Sequence, residues 1–280
     1  MLPTFVIGLR EGLEASLIIG IIAAFLARNG RTRETWAMWV GVGIAVGLCA
    51  AVAVGLHIAE DNLPQKQQEG LETIIGLVAV GFVTWMILWM RKHARDLKGD
   101  IESSAAAALA AGSASALVVM AFLAVLREGL ETAVFLLAAF QASTNPVSAG
   151  IGAVLGVVVA VAIGYGIYKG GVRINLSKFF TITGVVLVLV AAGLLAMAVH
   201  TAHEAGWFNG LQTQAANLHW LVDPGSVRAA LLTGMFGIQP RPTIGEVGAY
   251  LIYALPMLAF VLIPTRAPRQ KREQSVPLAA

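Results

Sequence analysis

Seven apolar stretches, each about as long as a membrane-spanning helix, constrain this chain more than any other feature. A helix needs about 20 apolar residues to cross the hydrocarbon core of a bilayer. Only 12% of the 280 residues are charged, whereas soluble domains carry roughly 25%. The sequence therefore predicts an all-α integral membrane protein with about seven transmembrane helices. The predicted spans are 4–27, 36–56, 71–90, 116–140, 148–168, 179–199 and 247–263.

Basic residues are distributed unevenly among the loops that join these spans. With the N-terminus outside, fourteen of the nineteen Lys and Arg residues fall in inner loops, and only Lys66, Arg228 and Arg241 fall outside. Because cytoplasmic loops are enriched in Lys and Arg, we predict an outer N-terminus and a cytoplasmic C-terminus. The outer loops are also acidic. This acidity either concentrates cations at the entrance or simply follows from the depletion of outer basic residues.

One hexapeptide, Leu-Arg-Glu-Gly-Leu-Glu, occurs twice, at 9–14 in the first span and at 126–131 in the fourth. This identity predicts an internal repeat of three helices. Since three is odd, the second copy enters the membrane from the opposite side, and such inverted repeats place substrate sites near the bilayer midplane. We predict a first repeat at 1–98, a second at 99–204, an outer loop or re-entrant segment at 205–246, a seventh helix at 247–264 and a basic cytoplasmic tail at 265–280.

Helix geometry places the charges of each motif together. At about 100° per residue, Arg10, Glu11 and Glu14 share one arc of the first helix. The Gly8-x-x-x-Gly12 spacing allows another helix to approach closely. If the first and fourth helices face each other, the charged side chains of both motifs converge. These are Arg10, Glu11, Glu14, Arg127, Glu128 and Glu131.

Burying these six charges is expensive, since each ionised residue at mid-membrane costs roughly 2.5–3.5 kcal/mol. A purely structural interpretation is that each Arg pairs with a Glu and joins the helices. Four carboxylates and two guanidinium groups nevertheless leave two carboxylates without a partner, unless they are protonated or bind a cation. Carboxylates suit hard cations such as ferric iron, manganese, magnesium or calcium. The single cysteine, Cys49, excludes disulfides and thiolate metal sites.

The paired Arg-Glu-Gly-Leu-Glu motifs resemble those of the oxidase-dependent iron permease family, which comprises the fungal high-affinity iron permease and bacterial iron-uptake permeases. The resemblance covers nearly the whole chain, including the Glu-Gly-Leu-Glu sequence at 69–72 and the Arg-Pro-Thr sequence at 241–243. It implies that the four motif glutamates bind iron and that Arg10 and Arg127 support the site. It also implies an acidic outer entrance, for which we predict Glu69, Glu72, His200, His203 and Glu204.

The resemblance further implies a permease in a bacterial cytoplasmic membrane that imports Fe(III), with iron as transported substrate and no permanently bound cofactor. Ferrous iron would be oxidised outside by a partner oxidase, or iron would be supplied by a delivery protein. Besides iron and the lipid bilayer, we predict no nucleic-acid partner, and the sequence makes no prediction of the oligomeric state.

Three alternatives stay open at this stage. The chain could be a permease for Fe(II) or for another cation such as Pb(II), or a structural membrane subunit. It could also be an intramembrane glutamate-dependent enzyme, but such enzymes need an embedded histidine to help activate water. All five histidines fall in loops or at predicted helix ends, so we predict that the chain is not an enzyme.

Overall fold

The computed structural model describes residues 1–61, 63–93, 114–143, 145–169, 175–222 and 236–263, together with seven isolated positions. The predicted tail at 265–280 lies outside the described residues, as does much of 205–246 between Val222 and Phe236. This part of the chain contains seven helices and one isolated bridge between Gln214 and Thr243. The helices are α1 (Leu2–Arg28), α2 (Thr32–Asp61), α3 (Gln65–His93), α4 (Ala114–Gln141), α5 (Pro146–Tyr168), α6 (Leu176–Glu204) and α7 (Ile244–Leu262).

Each predicted span corresponds to one of these helices, so the predicted fold class is confirmed. Five of the helices (α2, α3, α5, α6 and α7) combine the length and the apolar composition that a membrane crossing requires. The other two, α1 and α4, contain 27 and 28 residues and carry the charged motifs. The division of the repeats at 98/99 stays a prediction, since the neighbouring residues are largely outside the described ranges.

The first helix of each repeat packs in parallel against the second helix of the other repeat. On α1, a Cβ added at Gly8 would lie 2.7 Å from the carbonyl oxygen of Ala153, on α5. On α4, a Cβ added at Gly129 would lie 2.6 Å from Sγ of Cys49, on α2. The close approach predicted from the glycine spacing of α1 is confirmed, because no larger residue fits at these two positions without displacement of its neighbour.

The equivalent helices of the two repeats cross in opposite directions, as an inverted repeat requires. Near one side of the molecule, Ile22 and Leu26 of α1 form a core cluster with Leu117 and Ala121 of α4, so the end of one helix meets the start of the other. The third helices are also antiparallel, and the buried hydroxyl groups of Thr73 on α3 and Thr201 on α6 share a hydrogen bond of 2.7 Å. Helix α7 packs against α6 outside this symmetry.

Because the helices alternate in direction, the molecule has two chemically different faces. Helices α1, α3, α5 and α7 end on one side, which we call the Arg91 face, with Arg28, Arg91 and Lys169 at or near the helix ends. Helices α2, α4 and α6 end on the opposite side, which we call the Glu204 face. It carries Glu69, Glu204 and Glu246 at helix ends.

Candidate functional site

Three of the four motif glutamates meet where α1 and α4 cross. Glu11, Glu128 and Glu131 each offer one carboxylate oxygen, and the three oxygens lie within 4.8 Å of one another. All three residues are buried, with exposed fractions of 1%, 6% and 5%. The spacing within each motif explains this placement, since residues one turn apart project from the same side of a helix. A single cation could contact all three oxygens.

The fourth glutamate, Glu14, lies one turn along α1 and is bound by an arginine of its own motif. Its Oε1 atom accepts a hydrogen bond from Nε of Arg10 at 3.3 Å. The second motif repeats this pair, since Oε1 of Glu131 accepts a hydrogen bond from Nε of Arg127 at 3.0 Å. Each arginine therefore binds the glutamate four residues later, and the glutamate next to each arginine in sequence is left with weaker contacts or none.

Several polar atoms at this crossing have no hydrogen-bond partner among the described residues. They are both carboxylate oxygens of Glu11, Oε2 of Glu131 and Nη1 of Arg10. A buried polar atom without a partner costs about 1–3 kcal/mol, and more when it is charged. Such a cost is tolerated where a ligand satisfies these atoms in the working protein. The unpartnered carboxylate oxygens belong to two of the three residues that converge, as expected of a site that binds a cation.

The motif glycines explain how the helices come close enough for these contacts. A Cβ at Gly12 would lie 2.9 Å from Cβ of Ala160, on α5, just as Gly129 approaches Cys49 on α2. The glycine of each motif thus faces the second helix of the other repeat, while the glutamates before and after it in sequence face the crossing of α1 and α4. One pentapeptide therefore specifies two packing surfaces.

A second group of ionisable side chains lies at the Glu204 face. His200 contacts two carboxylates: its Nδ1 atom lies 2.9 Å from Oε1 of Glu246, and its Nε2 atom lies 3.5 Å from Oε1 of Glu204. Glu204 in turn shares a hydrogen bond with Glu69. These four residues, which we call the outer cluster, join α3, α6 and α7.

Sequence reasoning missed Glu246 as a member of this cluster. It is 95% buried, and its carboxylate also accepts a hydrogen bond from the backbone N–H of Thr243 at 3.2 Å, while its own N–H donates to the Thr243 hydroxyl. The Thr-x-x-Glu spacing before an apolar run is a signal of such a capping box. That signal places Glu246 at the start of a helix, but it does not indicate contact with His200, which is 46 positions away.

Two of the residues predicted for the outer entrance lie apart from the outer cluster. His203 has its ring Nε2 atom 2.8 Å from the carbonyl oxygen of Gly210, and its ring packs 4.1 Å from that of Phe208. Glu72 lines a narrow cavity of about 10 Å³ together with Gln141 and Thr201. This cavity lies between helices α3, α4 and α6, deeper than Glu69 along α3.

The outer cluster borders a much larger cavity at the Glu204 face. This cavity measures about 520 Å³, and a neighbouring one measures about 20 Å³. Four residues line both of them, so these side chains lie where the two spaces adjoin. They are Met197, His200, Gln239 and Glu246.

Known proteins resemble the chain over almost its entire length. Residues 1–272 match the iron permease FTR1 family. The chain is 44% identical over 269 residues to the ferrous iron permease EfeU of Yersinia pestis, covering 95% of each protein. It is 42% identical to the EfeU proteins of Escherichia coli O6:H1 and Shigella sonnei, covering 95% of this chain and 97% of each relative. No solved structure matches.

These relatives are named as permeases, that is, transporters and not enzymes. The match extends through both motifs and through all seven helices, so it does not rest on a single segment. The resemblance inferred from the paired motifs is confirmed, and the chain belongs to the iron permease FTR1 family.

Proposed function

We propose that this protein imports Fe(III) across a bacterial cytoplasmic membrane through the carboxylate site at the crossing of α1 and α4. The observation that carries the proposal is the convergence of Glu11, Glu128 and Glu131, with oxygens within 4.8 Å and unpartnered atoms on two of them. Glu14 completes the ligand set when it turns from Arg10, which lies one turn before it. The cation is substrate at this site and is not a resident cofactor.

The chemistry of the donors supports a hard cation. All the converging ligands are carboxylate oxygens, with neither a thiolate nor an imidazole among them, and oxygen ligands suit hard ions. Ferric iron is harder than ferrous iron, so these ligands favour Fe(III). An extracytoplasmic oxidase or an iron-delivery protein would then supply Fe(III) from Fe(II) at the entrance.

Direct transport of Fe(II) is a second candidate, and charge balance favours it. Four glutamates and two arginines carry a net charge of −2 when all are ionised, which a divalent ion neutralises and a trivalent ion exceeds by one. A buried site with no net charge is easier to stabilise in a medium of low dielectric constant. The relatives named as ferrous iron permeases are consistent with either candidate, because Fe(II) is the starting ion in both.

We place the entrance at the Glu204 face and the exit at the Arg91 face. The basic helix ends of the Arg91 face fit the enrichment of Lys and Arg on the cytoplasmic side. The outer cluster and the cavity of about 520 Å³ then form the entrance, where acidic groups concentrate cations. From there the proposed route to the crossing passes Glu72, whereas His203 contacts Gly210 and Phe208.

Uptake of radiolabelled metal into proteoliposomes tests the proposal. The wild-type protein and a Glu11→Gln variant are compared with Fe(III) citrate, Fe(II) with ascorbate, Mn(II) and Pb(II), with and without a soluble multicopper ferroxidase. We expect Fe(III) uptake that Glu11→Gln abolishes. Equal uptake of Fe(II) under ascorbate without the oxidase would favour direct Fe(II) transport, and equal uptake by Glu11→Gln and the wild type would remove the carboxylate site from the mechanism.

A further inference from the structure

A separate cavity of about 50 Å³ lies between the motif of α1 and the Arg91 face. A buried water needs about 10–15 Å³ of such space, so the cavity has room for about four waters. Helices α3, α6 and α7 form most of its wall. The lining residues are Arg10, Ile87, Met90, Arg91, Phe180, Thr181, Gly184 and Val261.

The charged side chains that line this cavity are basic. Two guanidinium groups, those of Arg10 and Arg91, line it, and none of the described lining residues is acidic. Arg10 is 99% buried, its Nε atom binds Glu14, and its Nη1 atom has no hydrogen-bond partner in the described part of the chain. Cζ of Arg10 lies 5.8 Å from the ring centre of Phe180, which also lines the cavity. Arg10 is therefore a buried lining residue of the cavity whose guanidinium has an unpartnered donor.

The second guanidinium is held in place at the Arg91 face. Nη2 of Arg91 donates a hydrogen bond to the carbonyl oxygen of Ile263, and its Cζ lies 4.1 Å from the ring centre of Phe260. These contacts join the ends of α3 and α7. They also fix the position of Arg91 without neutralising its charge, because a carbonyl group and an aromatic ring carry no net charge.

A glycine leaves space open in the wall of this cavity. Gly184 is buried and lines the cavity, yet a Cβ added there would meet no atom within 4 Å. Most buried positions in a protein are closely packed, so unfilled space beside a buried glycine and an unpartnered guanidinium indicates room for a ligand.

We propose that this cavity binds a small oxyanion of the phosphate type. Guanidinium groups present planar pairs of N–H donors that match the oxygens of phosphate, and an anion would satisfy Nη1 of Arg10, which is already paired with Glu14, while balancing the positive charge of Arg91. The phosphate comes either from inorganic phosphate or from the headgroup of an anionic lipid, since Arg91 lies at the end of its helix. The proposal rests on this cavity and not on the identity of the transported metal.

The oxyanion site also has a connection to the carboxylate site. One guanidinium group, that of Arg10, would bind Glu14 through Nε and the oxyanion through Nη1. An anion at Nη1 would weaken the attraction of Arg10 for Glu14 and thereby make Glu14 more available to a cation. Occupancy of the cavity is thus linked to the ligand set at the crossing of α1 and α4.

Two matched variants test the site through binding alone. Gly184→Leu fills the cavity, and Arg91→Gln removes one charge from it. Arg28→Gln removes one charge from the same face at an exposed helix end and serves as the control. Each protein is placed in nanodiscs of phosphatidylcholine and titrated with inorganic phosphate by calorimetry. Unfolding temperature and size-exclusion profile establish that each variant is folded.

We expect saturable phosphate binding in the wild type and in Arg28→Gln, affinity reduced by about tenfold or more in Arg91→Gln, and no binding in Gly184→Leu.

A second experiment measures retention of phosphatidylglycerol by native mass spectrometry. Retention that both cavity variants lose, together with competition against phosphate, would identify a lipid headgroup as the source. If neither phosphate nor phosphatidylglycerol bound the wild type better than the two cavity variants, the proposal would be wrong.

Discussion

The two copies of the pentapeptide have the same sequence but different surroundings. In the first copy the side chain of Arg10 is 1% exposed, whereas in the second copy the side chain of Arg127 is 42% exposed. The leucines differ in the same way, with exposed fractions of 0% for Leu13 and 36% for Leu130. The hydrogen bond from Arg to the glutamate four residues later is nevertheless present in both.

The difference arises from the helices that cover each copy. Arg10 lies inside the protein beside α3, α6 and α7. Helix α7 belongs to neither repeat, so the symmetry provides no equivalent of it for the second copy. Arg127 is instead covered by two rings of α3, with its Cζ 4.9 Å from the ring of Trp85 and 5.5 Å from that of Trp89. The intrinsic geometry of the motif is therefore symmetric, while its environment is not. We infer that the first copy is the rigid half of the site and the second the more accessible half.

The largest losses of iron uptake are expected when the glutamate next to each arginine in sequence is replaced. We expect Glu11→Gln and Glu128→Gln each to abolish iron uptake, because a neutral amide keeps the shape but removes the charge that a hard cation needs. Uptake into proteoliposomes, normalised to the amount of inserted protein, is the measurement. Glu34→Gln is the control, since Glu34 lies near the start of α2 and pairs with the exposed Arg31.

Substitution of the two glutamates that bind arginine tests whether the whole motif takes part in transport. A double Glu14→Gln, Glu131→Gln variant removes the charge that each arginine holds, and we expect it to lose uptake while still reaching the membrane. Normal transport by this variant would mean that the two Arg–Glu pairs only join the helices.

Substitution of the two arginines tests the asymmetry directly. Removing Arg10 with Arg10→Gln breaks a fully buried ion pair, which typically costs about 3–5 kcal/mol. The equivalent Arg127→Gln breaks a pair in which the arginine is 42% exposed, so we expect a smaller loss there. The free energy of unfolding in mixed micelles measures both. Equal losses would contradict the inference that the first copy is the rigid half.

Lysine variants separate charge from geometry at the same two positions. We expect Arg10→Lys to impair uptake nearly as much as Arg10→Gln, since an ammonium group cannot hold carboxylate oxygens in a fixed plane. At the exposed position, Arg127→Lys should be tolerated better. Wild-type uptake by Arg10→Lys would show that Arg10 contributes only its charge.

The convergence of the carboxylates was predictable from sequence, but the asymmetry was not. A duplicated motif in the first and fourth helices of an inverted repeat implies that the two copies face each other, and the structure brings Glu11 to Glu128 and Glu131. The environment of each copy depends on residues outside the duplication. Phe180 and Trp85 are not repeat equivalents, and no pattern within the pentapeptide indicates which copy they cover.

The pairing of the first helix of each repeat with the second helix of the other also could not be predicted in full from the sequence. The spacing of Gly8 and Gly12 predicts that some helix approaches α1, and the structure shows that it is α5, from the other repeat. The contact of His200 with Glu246 also joins distant segments. Sequence spacing determines which side of a helix is available, whereas the partner depends on tertiary packing.

Glycine substitutions should produce smaller effects that differ little between the two copies. Gly12→Ala would bring two methyl groups together at Ala160, and Gly129→Ala would bring a methyl group against Cys49. Overpacking of this kind typically costs about 1–3 kcal/mol. The loss of unfolding free energy should be relieved by Ala160→Gly in the first case and by Cys49→Ala in the second.

A glycine without close neighbours provides the control for this pair. Gly43 on α2 has no atom within 4 Å of an added Cβ, so Gly43→Ala should leave stability unchanged or raise it slightly. If Cys49→Ala failed to rescue Gly129→Ala, the close packing of α2 against Gly129 would not be the cause of the lost stability.

The smallest loss of stability is expected when the aromatic rings beside the two arginines are replaced. An exposed cation–π contact contributes about 0.5–1 kcal/mol, so Trp85→Leu should lower stability by about that amount and leave Arg127 bound to Glu131. Phe180→Leu removes the ring beside Arg10, which is farther from the guanidinium than Trp85 is from that of Arg127, but which is buried. We therefore expect Phe180→Leu to cost more stability than Trp85→Leu, because it also opens space in the core.

Double-mutant cycles with Arg10→Gln and Arg127→Gln, measured by unfolding, separate the loss of the cation–π contact from the cost of the cavity. Coupling to arginine should be the larger share of the effect at Trp85 and the smaller share at Phe180. The reverse order would mean that the tryptophans only shield Arg127 and do not hold it.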